Sequence, residues 1–181
     1  MPETTLSTVQ QRFILHWGEM GARWGINRTV AQIHALLYLS PNPLHAEHIA
    51  TVLSVARSNV SNSLRELEGW GIVRVVHVLG DRRDHFESLK DVWQMFEIII
   101  AERKRREVDP TTEMLRACLD EAHGKPDAYT AERIAAMVEF FDTMTGFYSD
   151  LAKLPKGVLP GLTRLRGKVR KLLVLKAGRA G

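Results

Sequence analysis

Cysteine is almost missing from this chain. Cys118 is its only one, so no disulfide can form within the chain, and a reducing, cytoplasmic setting is expected. Long apolar runs are missing too. The longest, around residues 96–101, falls far short of the roughly 18 to 20 residues that a membrane span needs. Residues 1–11 hold no basic stretch leading into an apolar one, so no secretory leader and no membrane partner are expected. No glycine-rich phosphate loop, serine nucleophile elbow or zincin motif occurs, so neither catalysis nor a cofactor is expected. His45 and His48 could present two metal ligands from one helix face. No third ligand lies close in sequence, and no metal site is expected. Acidic residues are absent from residues 153–181, which carry nine of the 25 Lys and Arg. The rest of the chain is net negative, so the overall charge of +4 belongs to a basic tail and says little about the body. A solvated helix face is the first reading of that tail, ahead of a phosphate clamp or a membrane-surface helix. Arg103–Lys104–Arg105–Arg106 reads the same way.

What the sequence does hold is mostly helical periodicity. Val9, Phe13, Trp17, Met20 and Trp24 recur every three or four residues, an apolar stripe that Gly21 and Gly25 are expected to interrupt. Asn27 can cap a second helix with Val30, Ile33 and Leu37 inward, ended by Ser40–Pro41–Asn42–Pro43. A short helix over 45–53, a turn at Ser54–Val55, and a helix over 57–70 stopped by Gly71 come next. Residues 72–78 are rich in β-branched side chains and read as a strand; Gly80–Asp81–Arg82–Arg83 turns the chain, and residues 84–87 return beside it. Ser88 and Asp91 resemble a capping box opening a long helix, with Leu89, Val92, Trp93, Phe96, Ile99 and Ile100 as its stripe. Asp109 and Pro110 are expected to restart a helix lined by Met114, Leu115, Cys118 and Leu119. Cys118 reads there as a small buried apolar residue. After a loop at 123–127, a helix over 130–154 spaces Ile134, Met137, Phe141, Met144, Tyr148 and Leu151 alternately by three and four, a heptad seam. A basic amphipathic segment follows.

The segment 46–87 reads AEHIATVLSVARSNVSNSLRELEGWGIVRVVHVLGDRRDHFE. It resembles the MarR-type winged helix-turn-helix regulators, particularly the GbsR-like branch. The matching residues are Ala46, Ile49, Ala50, Leu53, the turn at Ser54–Val55, Arg57–Ser58–Asn59–Val60–Ser61, Leu64, Leu67–Glu68, the exit Trp70–Gly71–Ile72–Val73 and the turn Gly80–Asp81–Arg82–Arg83. The resemblance implies a mainly α fold with a small β-hairpin wing: a winged helix-turn-helix domain plus a helical dimerisation region. It also implies a homodimeric regulator of transcription, and a response to choline or a related osmoprotectant.

The residues agree on physical grounds. In the helix from Arg57, Val60, Leu64 and Leu67 share one side, while Arg57, Ser58, Ser61, Asn62 and Arg65 share another. Small hydroxyl and amide side chains let a helix sit deep in a major groove, where Arg and Asn read base edges and Ser holds phosphates. Arg82 and Arg83 stand at the hairpin tip, either as a plain polar turn or, as favoured here, as a wing along the minor groove. Asp81 or Asp84 could orient a guanidinium there. One recognition helix reads few bases, so pairing is expected, through a heptad seam that could instead pack internally. The expected divisions are an N-terminal helix over 1–26, a DNA-binding domain over 27–87 and a dimerisation and effector region over 88–181. The expected partners are double-stranded, pseudo-palindromic DNA, a second copy and, where the protein responds to a ligand, a small effector of unknown identity. An aromatic cage for it would draw on Trp17, Trp24, Trp93, Phe96, Phe140 and Phe147, residues that core packing equally explains. The rival readings are a winged helix used only for protein contact and a helical enzyme, the latter lacking a polar constellation.

Overall fold

The computed structural model describes residues 6–122 and 127–152. The chain falls into two compact units, residues 1–102 and 103–181. The expected tail at 153–181, most of the loop at 123–127 and the side chain of Leu151 lie outside the described residues.

In the first unit, Ser7 opens α1 (Thr8–Arg23) by a reciprocal cap: its hydroxyl accepts from the Gln10 amide, and the Gln10 side chain accepts from the Ser7 amide. The expected stripe is only partly the packing face: Phe13 packs against the core and Met20 is half-buried. Val9 is 75% exposed and Trp24 57%, and α1 instead buries Ile14, Gly18 and Gly21. Gly21 does not interrupt the helix. It lets α1 lie close against α2 (Arg28–Leu39): a Cβ at Gly21 would stand 2.6 Å from the Ala31 Cβ, and one at Gly18 2.7 Å from Gln32 Cγ. Val30, Ile33 and Leu37 on α2 are buried beside this contact. Gly25, at φ +77°, ends α1 as expected. The Asn27 carboxamide caps α2, accepting from the Thr29 amide at 2.8 Å.

The last turn of α2 is closed from far away. The Lys90 ammonium donates to the carbonyls of Leu37, Tyr38 and Ser40, each at 2.8 Å. Leu44–His45 forms a short strand, β1, that no alternation could have announced, and α3 (Ala46–Leu53) follows. Ser54 adopts the left-handed conformation and turns the chain into α4 (Arg57–Gly69), whose N-cap Ala56 makes no side-chain cap. β2 (Val73–Val76) and β3 (His85–Ser88) form the hairpin, and the antiparallel order is β1-β3-β2, with Phe86 opposite both Leu44 and Val75. Ser88 ends β3 and does not cap a helix. Asp91 is the cap of α5 (Val92–Arg103), its carboxylate accepting from the amides of Trp93 and Gln94. Of the expected α5 stripe, Leu89 precedes the helix and Val92, Trp93 and Phe96 are exposed; Met95 is the buried residue. The core gathers Ile33, Leu37, Ile49, Val60, Leu64, Leu67 and Ile72, each under 2% exposed.

In the second unit, Asp109 does not start a helix afresh. Lys104–Val108 is a π-helical turn that runs into α6 (Asp109–Ala122), and the Asp109 amide donates to the Lys104 carbonyl. Pro110 has no amide to give, and the wider turn absorbs that loss without a break. Lys104 Nζ reaches the Asp109 carboxylate at 2.6 Å. Cys118 is half-buried, its thiol 3.6 Å from the Met114 sulfur. Asp127 caps α7 (Ala128–Ala152), and Arg116 of α6 pairs with Asp142 of α7 at 2.6 Å. On α7, Ile134, Phe141 and Tyr148 are half-buried, whereas Met137 and Met144 are exposed.

Candidate nucleic-acid interface

α4 is amphipathic about its own axis. Val60, Leu64 and Leu67 plug the core, which leaves Arg57, Ser58, Asn62 and Arg65 exposed and Ser61 half-buried on the other side. No acidic residue occurs from Arg57 to Arg65. The side chains on this face hold one another. Arg57 Nη1 donates to the Ser61 hydroxyl, which itself bonds back to the Arg57 carbonyl, and Arg65 Nη1 donates to Asn62 Oδ1 at 3.2 Å.

Arg57 has a second partner that sequence reasoning missed. Its Nε donates to Glu47 Oε1 at 2.9 Å, from the first turn of α3. The Arg57 guanidinium is the main reason the Glu47 carboxyl is pulled down to about 2. His45, the N-cap of α3, accepts from the His48 amide and lies 3.1 Å from the other Glu47 oxygen. Glutamate is common in a first helical turn, so nothing in the sequence tied it to an arginine ten residues on.

The wing separates its two arginines. Arg83 forks onto the Asp81 carboxylate through Nε and Nη2, and its amide donates to Asp81 Oδ1. That guanidinium holds the Asp81 carboxyl well below the usual range. Asp81 raises Arg83 further above its ordinary value, and Glu47 adds a smaller push. Arg82 is exposed and makes no ion pair or side-chain hydrogen bond with the described residues. His85 fixes the wing's base. It is buried, its Nδ1 lies 2.9 Å from the Arg83 carbonyl, and its ring meets that of His45 edge-on at 5.5 Å. The i, i+3 pair His45 and His48 therefore joins a ring contact across β1 and β3, and no group of three metal-binding side chains forms among the described residues.

The six aromatics considered for a cage do not gather in one place within either unit. Trp17 and Trp24 line a cavity beside α2, joined by Trp70, which sequence reasoning passed over. Trp93 and Phe96 meet edge-on at 6.5 Å on α5. Phe140 and Phe147 are exposed on α7.

Residues 24–84, about a third of the chain, match the model of the MarR family. A solved structure described as a transcriptional regulator is 21% identical, covering 80% of this chain and 95% of that one with a TM-score of 0.64, and shares the fold. A mutant of S. aureus MepR bound to an oligodeoxyribonucleotide is 20% identical over 62% of this chain and 88% of its own, at a TM-score of 0.38. NadR in complex with 4-hydroxyphenylacetate is 17% identical over 86% and 100%, at 0.36. No curated protein matches the sequence. No described helix is long and apolar enough to cross a membrane.

Proposed function

We propose that this chain is a homodimeric, ligand-responsive transcriptional repressor of the MarR type, of the GbsR-like branch, that reads double-stranded DNA with α4. The observation that carries the reading is the exposed face of α4, where Arg57, Ser58, Asn62 and Arg65, with Ser61 between them, stand free of any acidic neighbour in the same stretch of helix. The match of residues 24–84 to the MarR family supports it. So does the hairpin that follows α4 directly and carries Arg82 at its exposed turn.

Two copies pair through residues 88–181 and the helix before residue 27, with Ile134, Met137, Phe141, Met144, Tyr148 and Leu151 in the seam. Each inserts α4 into a major groove, so the operator is an imperfect palindrome with half-site centres about 10 base pairs apart. Binding covers the promoter, and an effector that favours a different half-site spacing releases it. Arg57 trades Glu47 for a base edge, and Arg82 follows the minor groove.

The test is fluorescence anisotropy against DNA from the protein's own upstream region and a scrambled control. Arg57→Ala should cost about 1 to 3 kcal/mol on the preferred sequence and little on the control, because a bidentate base contact carries discrimination. Equal affinity for both DNAs in wild type and variant, or none for either, would leave α4 as a face for protein contact.

A further inference from the structure

The most exposed large apolar side chain among the described residues is Leu79, at 103%, and Val78 beside it is 40% exposed. Both stand in the turn between β2 and β3. A lone exposed leucine is ordinary on a protein surface. This one is held out by a braced turn. Gly80, at φ +86°, takes the second corner, and the Asp81 amide closes the turn by donating to the Val78 carbonyl at 3.0 Å. The Asp81 carboxylate then accepts from the Arg83 amide, and the Arg83 carbonyl lies 2.9 Å from Nδ1 of the buried His85 ring. Leu79 at the first corner is therefore fixed in place before any partner arrives, and its side chain has no packing in the fold to give up.

The charges around it favour one kind of partner. Of the two carboxylates in the turn, Asp81 is taken up by Arg83 and Asp84 stands 4.0 Å from His77 Nδ1. Arg82 pairs with neither. A protein surface that covered Leu79 would also have to bury Arg82 and the Arg83–Asp81 fork, and a buried charge is costly unless it is paired. Duplex DNA offers phosphates to the guanidinium and, at an opened base step, an apolar slot to the leucine. The turn also continues the candidate interface, since the hairpin follows α4 directly.

We propose that Leu79 is a wedge: it enters the minor groove where the wing lands and partly unstacks one pyrimidine–purine step, so that the chain reads the deformability of the flanking DNA as well as the base edges under α4. The inference rests on the DNA-binding reading above. It has a sign that an arginine alone would not give. Arginine gains most from the narrow groove of a stiff A-tract, whereas a wedge gains from a TA step, which unstacks readily. The two sequences present the same acceptors on the groove floor, so a preference between them reports shape and stiffness.

The experiment is fluorescence anisotropy of the full chain at low salt with two duplexes of equal length and composition, one of alternating TA steps and one an A-tract. Wild type should bind the alternating duplex about fivefold tighter, the lower end of what one wrong base pair costs. Leu79→Ala should bind the two alike, Leu79→Met should keep the preference, and Arg82→Ala should weaken both duplexes and keep it too. With 2-aminopurine in place of one adenine of the alternating duplex, wild type should raise the emission as the base unstacks, and Leu79→Ala should not. Equal affinity or an A-tract preference in wild type, or a Leu79→Ala variant that behaves as wild type does, would overturn the wedge and spare the DNA-binding reading. So would a Leu79→Ala variant that loses self-association with its DNA binding intact, which would assign the tip to a protein contact. No binding to either duplex or to the protein's own upstream DNA would sink both.

Discussion

The two units of this chain spend their apolar residues differently. In the first, α2, α3, α4 and the hairpin seal seven large side chains to below 2% exposure, and Phe86 of β3 joins the same core. In the second, the buried residues among those described are Thr112 and Leu115, both on α6, while Phe140 and Phe147 of α7 stand 58% and 60% exposed. Both regions show clean apolar periodicity. Periodicity thus reports that a face wants cover, and leaves open whether the cover comes from the same chain. The first unit supplies its own; the second leaves Met137 and Met144, of the seam proposed above, exposed for a second copy to cover.

The contrast can be broken most sharply by matched truncations. Leu64→Ala should cost about 2 to 5 kcal/mol in urea unfolding, the usual range for a large core side chain, and the loss should not depend on protein concentration. Leu115→Ala should cost clearly less in the same assay, since few buried neighbours surround it. Equal losses would mean that the second unit has a core of its own.

The next effect is smaller and is read by pH. His34 stays neutral in the folded chain down to about pH 4, whereas in the unfolded chain it takes up a proton near 6.5. The unfolded state therefore binds more protons across that window, and stability falls as pH drops from 7 to 4. The share due to His34 is about 3 kcal/mol at most. Urea titrations at the two pH values should show a larger loss in wild type than in His34→Phe, which keeps the smaller loss due to His48, whose pKa burial also lowers. A like dependence in both would place the loss elsewhere.

Met137→Ser with Met144→Ser should shift sedimentation from dimer to monomer, weakening association at least tenfold or by about 1.4 kcal/mol. Helix content should hold. An unchanged dimer would remove this face from the interface. The smallest effect sharpens the interface itself. Asp81→Asn should free the Arg83 guanidinium and raise affinity for scrambled DNA about twofold at low salt, fading as salt rises. No change would mean that Arg83 never faces DNA.

What could be read in advance follows a physical line. The sides of α4 were legible because one face is set by burial and the other by its lack of acid. The Asn27 cap and the stop at Gly71 were legible because their chemistry is local. The α1 face was misread because a run of large apolar residues outweighs glycines on paper, although Gly18 and Gly21 are what let two helices touch. Asp109–Pro110 looks like a helix start, and only the five-residue hydrogen-bond step shows that the helix passes through it. Glu47 against Arg57, and Trp70 with His34 around the cavity, are contacts between elements, which no local pattern encodes.

Lys90 ties distant pieces of chain into one event. Three carbonyls at the end of α2 find their donor 50 or more residues later in the sequence. The last turn of α2 can therefore be complete only after β3 has been laid down and the chain has come back past it. In hydrogen exchange the end of α2 and the stretch leading into α5 should open together, as one cooperative piece. Lys90→Met would let the helix end fray on its own schedule, with the sheet still protected.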